Sequence, residues 1–173
     1  GSLVHGATLL IRGPDIAYTA QACEVLIATP SILATLDPAR CSGLKTVAVA
    51  GEPCPQALAV RWSRQCTFYN GCGPTETTIV NTLQRYPGCG PLTIGRPTPN
   101  NTVYILDASG RACRIGEIGE MWAGGDGVSQ GVVAVVGQLV GLVVEQVVAA
   151  VVFVHQVDEA GHQAFQTLSR AET

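Results

Sequence analysis

The stretch "LKTVAVAGEPCPQALAVRWSRQCTFYNGCGPTE", residues 44–76, decides the fold that the sequence predicts. Its first part, "LKTVAVAGEP", is a run of small and β-branched residues typical of a strand buried on both faces, and the run is broken at Gly51. "PQALAVRWSRQ" has apolar residues at helical spacing, and "CTFYNGCGPTE" is a second extended run that ends in a loop. Strand, helix and strand in this order predict parallel strands joined by a helix.

The residues upstream extend the same pattern. "ATLLI" and "EVLIATPS" are predicted as short buried strands. "SILATLDP" is predicted as a helix that begins near Ser31 and stops at Pro38. We therefore expect an α/β protein with a partial parallel βαβ sheet. Ligands bind at the C-terminal strand ends of such sheets, so Gly51–Pro53 and the predicted Asn70–Glu76 loop are candidate ligand-binding segments.

The pattern changes after about residue 85 to short β segments separated by turns. "TVYILD" alternates into the turn "ASGR", and "GEMWAG" is another short strand, so we expect a small antiparallel, barrel-like β subdomain. Gly1 and Ser2 are interpreted as residues left by cloning. The predicted division is then a parallel α/β subdomain over residues 3–87 and a β-rich subdomain over residues 88–173.

A valine-rich segment follows, with valine at 14 of the 30 positions from Val128 to Val157. Many of these valines fall at helical spacing, which predicts an amphipathic helix packed on the barrel. The alternative is a membrane span over Val132–Val154. Because Glu145 and two glutamines lie inside that range, we expect no membrane association.

Composition narrows the classes of function. Charged residues make up only 13% of the 173 positions, so part of the surface is expected to be covered by other protein. The net charge of -3 and the scattered ten Lys and Arg residues exclude nucleic acid as the expected partner. Seven cysteines without CxxC spacing or a signal peptide indicate free thiols in a reducing, cytoplasmic compartment rather than a zinc site.

"YNGCGPTETT", residues 69–78, combines glycines, a proline and hydroxyl side chains around Glu76. Glycines permit close backbone approach, and hydroxyl and carboxylate oxygens suit an anion and its metal. The alternative from composition alone is a hydroxyl-rich turn without a ligand.

The order of motifs resembles that of the adenylate-forming enzymes, and specifically the amino-acid adenylation domains of nonribosomal peptide synthetases. "NGCGPTE" is similar to that family's N-x-Y-G-P-T-E, and about forty residues later "GEIGEMWAGGDGVSQG" is similar to G-E-x-G-E-L-x-x-x-G-x-G-x-x-x-G-Y. "VAGEP" resembles the family's adenine-side loop, and "PLTIGRPTPNNTVYILDASGR" resembles the segment between the two motifs. The chain is thus expected to be a fragment of the large N-terminal core of such a domain.

The resemblance implies ATP and Mg²⁺ as the cofactors of the full-length enzyme, with Thr75 and Glu76 as the catalytic residues. Thr75 would contact the α-phosphate, and the carboxylate of Glu76 would hold the metal, for which oxygen ligands are suited. The alternative for Glu76 is a solvated loop carboxylate or a helix-start cap. The nucleotide-binding residues implied by the resemblance are Gly51, Glu52, Asn70, Gly71, Cys72 and Thr75.

The resemblance also implies a pocket for the side chain of an amino or aryl acid. Its residues would be small or aliphatic, which leaves room for a bulky hydrophobic acid. The implied pocket residues are Ile27, Ala48, Ala50, Gly71, Ile79 and Val80. The alternative is that these are ordinary core positions.

Several departures from the family pattern bear on activity. The family's phosphate loop, the segment with its amino-group aspartate and the subdomain with its catalytic lysine have no counterpart in this sequence. Cys72 stands where the family has a tyrosine that stacks on adenine. "AFQTLSR" lacks the Gly-Asp pair of the family's ribose-binding motif, which leaves Phe165 and Thr167. The fragment alone is therefore expected to bind ATP weakly or not at all and to be inactive.

In the full enzyme, the resemblance implies that the substrate carboxylate attacks the α-phosphate of ATP, which forms an acyl-adenylate for loading onto a carrier protein. The implied partners are the acid substrate, the rest of the adenylation domain and the carrier protein. Two alternatives stay open. The chain could be a non-catalytic interaction module that kept the fold, or a fragment of an acyl- or aryl-CoA ligase of the same superfamily.

Overall fold

The computed structural model describes residues 3–128 and the backbone of two short strands, Leu142–Val143 and Val151–Val152. The chain forms two compact units. We call Gly1–Cys72 with Leu83–Arg96 the parallel unit, and Gly73–Thr82 with Pro97–Thr173 the hairpin unit. Compactness alone does not decide which segments fold independently, so the predicted subdomain boundary between residues 87 and 88 stays a prediction.

A five-stranded sheet with the strand order β1-β2-β3-β4-β5 is the framework of the parallel unit. Its strands and helices are, in chain order, α1 (Ile16–Gln21), β1 (Val25–Ala28), α2 (Pro30–Ala34), β2 (Thr46–Val49), α3 (Gln56–Ser63), β3 (Thr67–Cys72), β4 (Thr82–Tyr86) and β5 (Arg96–Pro97). Strands β1, β2 and β3 are parallel neighbours. The predicted α/β class with a partial parallel sheet is confirmed.

Helices α1 and α2 begin at residues whose side chains satisfy free backbone amides. The carboxylate of Asp15 accepts hydrogen bonds from the amides of Ala17 (2.9 Å) and Tyr18 (3.2 Å) at the start of α1. Helix α2 begins near Ser31, as predicted: its cap is Thr29, and the fixed φ of Pro30 suits the first helical position. Helix α2 ends at Ala34, before the predicted stop at Pro38.

The core of the parallel unit lies where α3 packs on one face of the sheet. Trp62 of α3 and Val47, Val49 and Phe68 of the sheet are all buried in one hydrophobic cluster. Burying each of these side chains contributes about 1.5–3 kcal/mol relative to leaving it exposed. The ring of Phe68 also meets that of Tyr86 edge to face, with 6.5 Å between centroids.

Three predictions about strands are wrong. Strand β1 forms as predicted but is not buried, since Val25 is 58% exposed and Ile27 is 78% exposed. "ATLLI" forms neither helix nor strand, and Ile11 is 87% exposed. An apolar run by itself cannot make a strand, because a strand needs a neighbour for its backbone hydrogen bonds. Strand β2 is also not buried on both faces, since Val47 and Val49 are buried whereas Thr46 and Ala48 are half-buried.

The hairpin unit is built on two antiparallel strands, β6 (Asn101–Leu106) and β7 (Glu120–Gly125). The predicted "ASGR" turn follows β6. The carboxylate of Asp107 organises this turn by accepting hydrogen bonds from the amides of Ser109 (2.8 Å) and Arg111 (3.0 Å). The predicted antiparallel sheet is therefore confirmed for this pair of strands.

The valine-rich segment is described only at β8 (Leu142–Val143) and β9 (Val151–Val152), which pair with each other as antiparallel strands. Strand β9 also pairs with β7. The structure therefore has strand rather than the predicted helix at these four residues, because their backbones find neighbouring strands. The rest of the predicted helix lies outside the described residues. Among the described helices, none has the length and apolar character that crossing a membrane requires.

Candidate functional site

In the parallel unit, the predicted nucleotide-binding residues lie at or just beyond the C-terminal ends of β2 and β3. Gly51 follows β2 with a φ of +87°, a backbone conformation that glycine adopts without a steric cost. Asn70, Gly71 and Cys72 are the last three residues of β3. The prediction that the loop starts at Asn70 is therefore wrong: strand pairing continues through Cys72, and the loop begins at Gly73.

The predicted pocket residues of this unit share one face of the sheet. Ile27, Ala48 and Tyr69 are register partners across β1, β2 and β3. Because side chains alternate along a strand, Ala50 and Gly71 continue the same face, opposite to the buried Val49. Ile27 is 78% exposed, Ala48 and Ala50 are half-buried and Gly71 is buried, so this face is partly open within the unit.

The carboxylate of Glu52 is bound to the start of α2. Oε2 of Glu52 accepts a hydrogen bond of 3.0 Å from the backbone amide of Ser31 and another from the Ser31 hydroxyl. The hydrogen bond from the Ser31 hydroxyl is the largest cause that holds the pKa of Glu52 below its ordinary value. Ser31 is thus a residue of this site that the sequence reasoning treated only as a helix start.

Asn70 is buried on the same face as Phe68, and its side chain holds a neighbouring segment. The Nδ2 group of Asn70 donates a hydrogen bond of 2.8 Å to the carbonyl of Thr93, and the amide of Thr93 donates one of 2.6 Å to Oε1 of Gln84. Thr93 and Gln84 were missed by the sequence reasoning, because no local pattern links them to Asn70.

All seven cysteines are free thiols, as predicted. Cys72, at the end of β3, is buried, and burial raises the pKa of its thiol. Burial also raises the pKa of Cys54, next to the Gly51–Pro53 loop, to about 11. Both side chains are therefore neutral at physiological pH.

In the hairpin unit, Thr75 and Glu76 lie in a single 3₁₀ turn, Thr75–Thr77, and both are exposed. Among the described residues, the carboxylate of Glu76 has no hydrogen-bond or ion-pair partner. It therefore caps no described helix. An exposed carboxylate beside threonine hydroxyls is a set of hard oxygen donors, which fits Mg²⁺. No group of three His, Cys, Asp or Glu side chains suited to a metal occurs in the described part of the chain, so other ligands of such an ion would be phosphate and water.

The residues after this turn have a strained backbone that is tied to the second motif. Thr78 and Ile79 both have positive φ, 58° and 73°, which is rare for β-branched residues and costs on the order of 1–3 kcal/mol each. The hydroxyl of Thr78 donates a hydrogen bond of 2.6 Å to the carbonyl of Gly127. The "GPTETT" and "GGDG" motifs are thus in direct contact inside one compact unit.

Gly73 is required by close packing at the start of this loop. A Cβ atom on Gly73 would lie 2.6 Å from both the backbone nitrogen and the Oδ1 atom of Asn81. The Asn81 side chain is fully buried, and neither of its polar atoms has a partner among the described residues. The loop is therefore packed too tightly for any side chain at position 73.

The remaining predicted site residues are distributed as follows. Ile79, which is exposed, and Val80, which is half-buried, belong to the hairpin unit, whereas Ile27, Ala48, Ala50 and Gly71 belong to the parallel unit. Phe165 and Thr167 lie outside the described residues.

Comparison with known proteins identifies relatives. A model of the family described as AMP-binding enzyme matches residues 1–133. An adenylate-forming reductase of Coprinopsis cinerea is 48% identical over 134 residues, which are 76% of this chain and 13% of that protein. Nonribosomal peptide synthetase 5 of Aspergillus fumigatus is 37% identical over 133 residues, which are 75% of this chain and 6% of that protein. The chain thus spans a small part of these relatives.

A solved structure has the same fold. The N-terminal subdomain of NpsA from Klebsiella oxytoca, in complex with 3-hydroxybenzoyl-AMSN, matches with a TM-score of 0.61 and 20% sequence identity. The match covers 69% of this chain and 35% of that one. At this identity the likeness shows the fold alone.

Proposed function

The chain belongs to the family of AMP-binding enzymes, and from that premise we propose that it is part of an adenylation domain. This domain activates an amino or aryl carboxylic acid with ATP and loads it onto a carrier protein. Family membership confirms the resemblance to adenylate-forming enzymes. The substrate, the carrier protein and the cytoplasmic location belong to the proposal.

The observation that carries the proposal is the exposed carboxylate of Glu76, which has no partner among the described residues, in a turn that the surrounding residues hold in place. Gly73 is packed against Asn81 before the turn, and Thr78 is bonded to Gly127 after it. These contacts fix the backbone that carries Glu76, and its carboxylate is not used in the fold of the described residues. Such preorganisation is what a binding site for a metal–phosphate group needs.

In the proposed reaction, a carboxylate oxygen of the substrate forms a bond to the α-phosphorus, and the bond between that phosphorus and the leaving pyrophosphate breaks. Thr75 donates a hydrogen bond to an α-phosphate oxygen. Glu76 holds Mg²⁺, which when bound neutralises part of the phosphate charge. Because the reaction depends on positioning and charge neutralisation, the held turn contributes by orienting these two side chains.

For the nucleotide base, we propose the backbone around Gly51 as the contact surface. The carboxylate of Glu52 is already bonded to Ser31, so this side chain fixes the loop and leaves the loop's backbone for the base. Gly51, Asn70, Gly71 and Cys72 complete the proposed nucleotide site. A thiol at position 72 offers no aromatic face, so weak nucleotide binding is part of the proposal.

For the acid, we propose a bulky hydrophobic or aromatic side chain. The face with Ile27, Ala48, Ala50 and Gly71 is apolar and carries mostly small residues. Ile79 and Val80 of the hairpin unit are the further aliphatic residues of the proposed pocket. Small residues along an apolar face leave volume that a large side chain fills.

Two classes of enzyme are candidates for the parent protein, and the proposed adenylation reaction is the same in both. A nonribosomal peptide synthetase is the first, supported by the order of motifs. An adenylate-forming reductase is the second, favoured by the 48% identity to the Coprinopsis cinerea protein against 37% for the synthetase. A CoA ligase and a non-catalytic module remain the alternatives, and the activity of the parent enzyme distinguishes them.

The proposal is tested by titrating the 173-residue chain with ATP, with and without Mg²⁺, and following backbone amide NMR signals. We expect weak binding that shifts the signals of Gly51–Pro53 and Thr75–Glu76, and we expect Mg²⁺ to enhance the shifts near Glu76. Glu76→Gln should abolish the Mg²⁺ effect, whereas Glu117→Gln, which changes another exposed carboxylate of the hairpin unit, should keep it.

Exchange of labelled pyrophosphate into ATP is the second measurement. The parent enzyme should catalyse exchange with a bulky hydrophobic or aryl acid, and the isolated chain should not. Shifts confined to other regions, or a Mg²⁺ effect that survives Glu76→Gln, would contradict the proposed site. A parent enzyme without acid-dependent exchange would contradict the proposed activity.

A further inference from the structure

The parallel unit has an open groove of about 720 Å³ at the N-terminal ends of β2 and β3. Its lining includes three cationic side chains, Lys45, Arg64 and Arg85, and three polar ones, Ser63, Gln65 and Thr67. The groove lies at the opposite ends of these two strands from Gly51 and Asn70. It is therefore separate from the proposed nucleotide site.

The three cations come from different parts of the chain and are positioned by regular structure. Lys45 immediately precedes β2, and its carbonyl accepts a hydrogen bond of 2.9 Å from the amide of Thr67. Arg64 follows α3 directly, and Arg85 belongs to β4. Because about twenty residues separate each cation from the next, the sequence shows them as scattered charges, whereas the fold collects them.

None of the described residues that line the groove is acidic. Lys45 forms an ion pair of 2.7 Å with Glu24, and both side chains are largely exposed. Arg64 and Arg85 have no ion-pair partner among the described residues. Like charges in one groove repel each other, so an anion that enters it gains favourable electrostatic free energy.

Of the three polar side chains of the groove, those of Ser63 and Gln65 already donate hydrogen bonds within the protein, and that of Thr67 is available to an anion. The Nε2 group of Gln65 donates a hydrogen bond of 2.8 Å to the carbonyl of Cys41, which holds the loop between α3 and β3. The Thr67 hydroxyl has no partner among the described residues, so it can donate a hydrogen bond to a ligand oxygen. Guanidinium groups bind phosphate oxygens through two parallel hydrogen bonds, which makes arginine the usual phosphate-recognition residue.

We propose that this groove is a second anion site that binds a small molecule carrying a diphosphate group. Arg64 and Arg85 have no ion-pair partner among the described residues, and with Lys45, which Glu24 shares, they complement the negative charge of a diphosphate. The volume falls in the range of small-molecule sites, about 300–1,000 Å³. The net charge of -3 disfavours a long polyanion, which would extend beyond the groove. The diphosphate is either free pyrophosphate or part of a nucleotide.

The test is a titration of the 173-residue chain with pyrophosphate at low ionic strength, followed by calorimetry and by amide NMR signals. We expect shifts at Gln65–Thr67 and Arg85, and binding that weakens as salt is added. The double variant Arg64→Gln/Arg85→Gln should lose at least about tenfold in affinity, since two charge-assisted contacts are removed. Arg12→Gln/Arg96→Gln makes the same charge change at two exposed arginines outside the groove and should leave affinity unchanged.

Circular dichroism and thermal unfolding establish that both double variants are folded, which is expected because the substituted side chains are exposed.

ADP and adenosine distinguish the two sources of the diphosphate. If ADP binds in the groove more tightly than pyrophosphate and adenosine does not bind, the ligand is a nucleotide; if pyrophosphate binds more tightly, it is the free ion. The proposal would be overturned by equal pyrophosphate affinity in the two double variants, or by shifts confined to Gly51–Pro53. Tighter binding of an oligoglutamate peptide than of pyrophosphate would also overturn it. None of these outcomes depends on the proposed adenylation activity.

Discussion

Ser31 and Glu52 are bonded to each other across 21 positions of sequence: the amide of Ser31 donates a 3.0 Å hydrogen bond to Oε2 of Glu52, and the Ser31 hydroxyl donates another to the same oxygen. Ser31 lies just after β1, and Glu52 lies just after β2. Because β1 and β2 are adjacent parallel strands, this contact joins their C-terminal ends. It holds the loop that follows β2.

Replacing Ser31 by alanine should raise the pKa of Glu52 towards its ordinary value, because the largest cause of the lowered pKa is removed. A carboxylate with a lowered pKa stabilises the fold above its unfolded-state pKa, and this contribution is lost as the pH falls. The difference in free energy of unfolding between wild type and Ser31→Ala should therefore be present at pH 7 and shrink below about pH 4.5. The measurements are an NMR titration of Glu52 and denaturation at several pH values.

Ser42→Ala is the control for this prediction, because Ser42 is also exposed and has no hydrogen bond to Glu52. It should change neither the pKa of Glu52 nor the pH dependence of stability. A Glu52 carboxylate that titrates identically in wild type and Ser31→Ala would show that the hydrogen bonds do not form in solution.

Replacing Thr78 by valine keeps the β-branched shape but removes the hydroxyl that binds the carbonyl of Gly127. We expect a loss of about 1 kcal/mol in the free energy of unfolding, the usual net contribution of one hydrogen bond. The backbone signals of Thr75 and Glu76 should shift as the strained turn relaxes. Thr78→Ser retains a hydroxyl and should keep more of the stability than Thr78→Val, and the reverse order would refute the role of this contact.

Alanine at position 73 should destabilise the chain by about 1–3 kcal/mol, because its Cβ atom would overlap atoms of Asn81 and the structure must shift. Denaturant unfolding measures this effect. Gly13→Ala is the matched control, since the nearest atom to its Cβ is the Thr19 hydroxyl at 3.8 Å and no positive φ is needed. If both variants unfold at the same denaturant concentration, the packing described around Gly73 is incorrect.

The free thiols should differ strongly in their reactivity with iodoacetamide. The thiolate is the reactive form, and the pKa of Cys54 is raised from 9.0 to about 11 by burial, so at pH 8 its thiolate fraction is about 100-fold lower than at an unshifted thiol. Cys89 is exposed and should react first. Mass spectrometry of labelled peptides over time gives the order.

The pH dependence of this labelling has a defined sign. Since the pKa of Cys54 is raised in the folded state, its rate should keep increasing up to about pH 11, and stability should fall as the pH rises from 9 towards 11. In urea the two cysteines should react at similar rates. Faster labelling of Cys54 than of Cys89 in the folded chain would exclude the half-buried position described for Cys54.

Local patterns predicted much of the parallel unit. The helix α3 and the strands β2 and β3 were predicted because hydrophobic periodicity and turn residues are properties of consecutive residues. The "ATLLI" strand was wrong for the complementary reason. An apolar run becomes a strand only if a neighbour pairs with it, and the neighbour is chosen by the tertiary structure.

The candidate site was also predicted from the sequence only where its features lie in consecutive residues. The motif around Glu76 and the family were recognised from residue order, and family membership is confirmed. The end of β3 at Cys72 was missed, because Gly71 and Gly73 look like loop residues although strand pairing continues through the first of them. The contact of Thr78 with Gly127 was also missed, because it joins two motifs that are 49 positions apart.

The sequence by itself determined the α/β class, the order of the central strands and helix, and the motifs that identify the family, since each of these is written in consecutive residues. Only the tertiary structure decided that Ser31 holds Glu52, that Asn81 leaves no room for a side chain at Gly73, and that Lys45, Arg64 and Arg85 line one groove. Those relationships depend on which distant segments pack together. That choice is made by burial and hydrogen bonding over the whole chain, so no short window of sequence contains it.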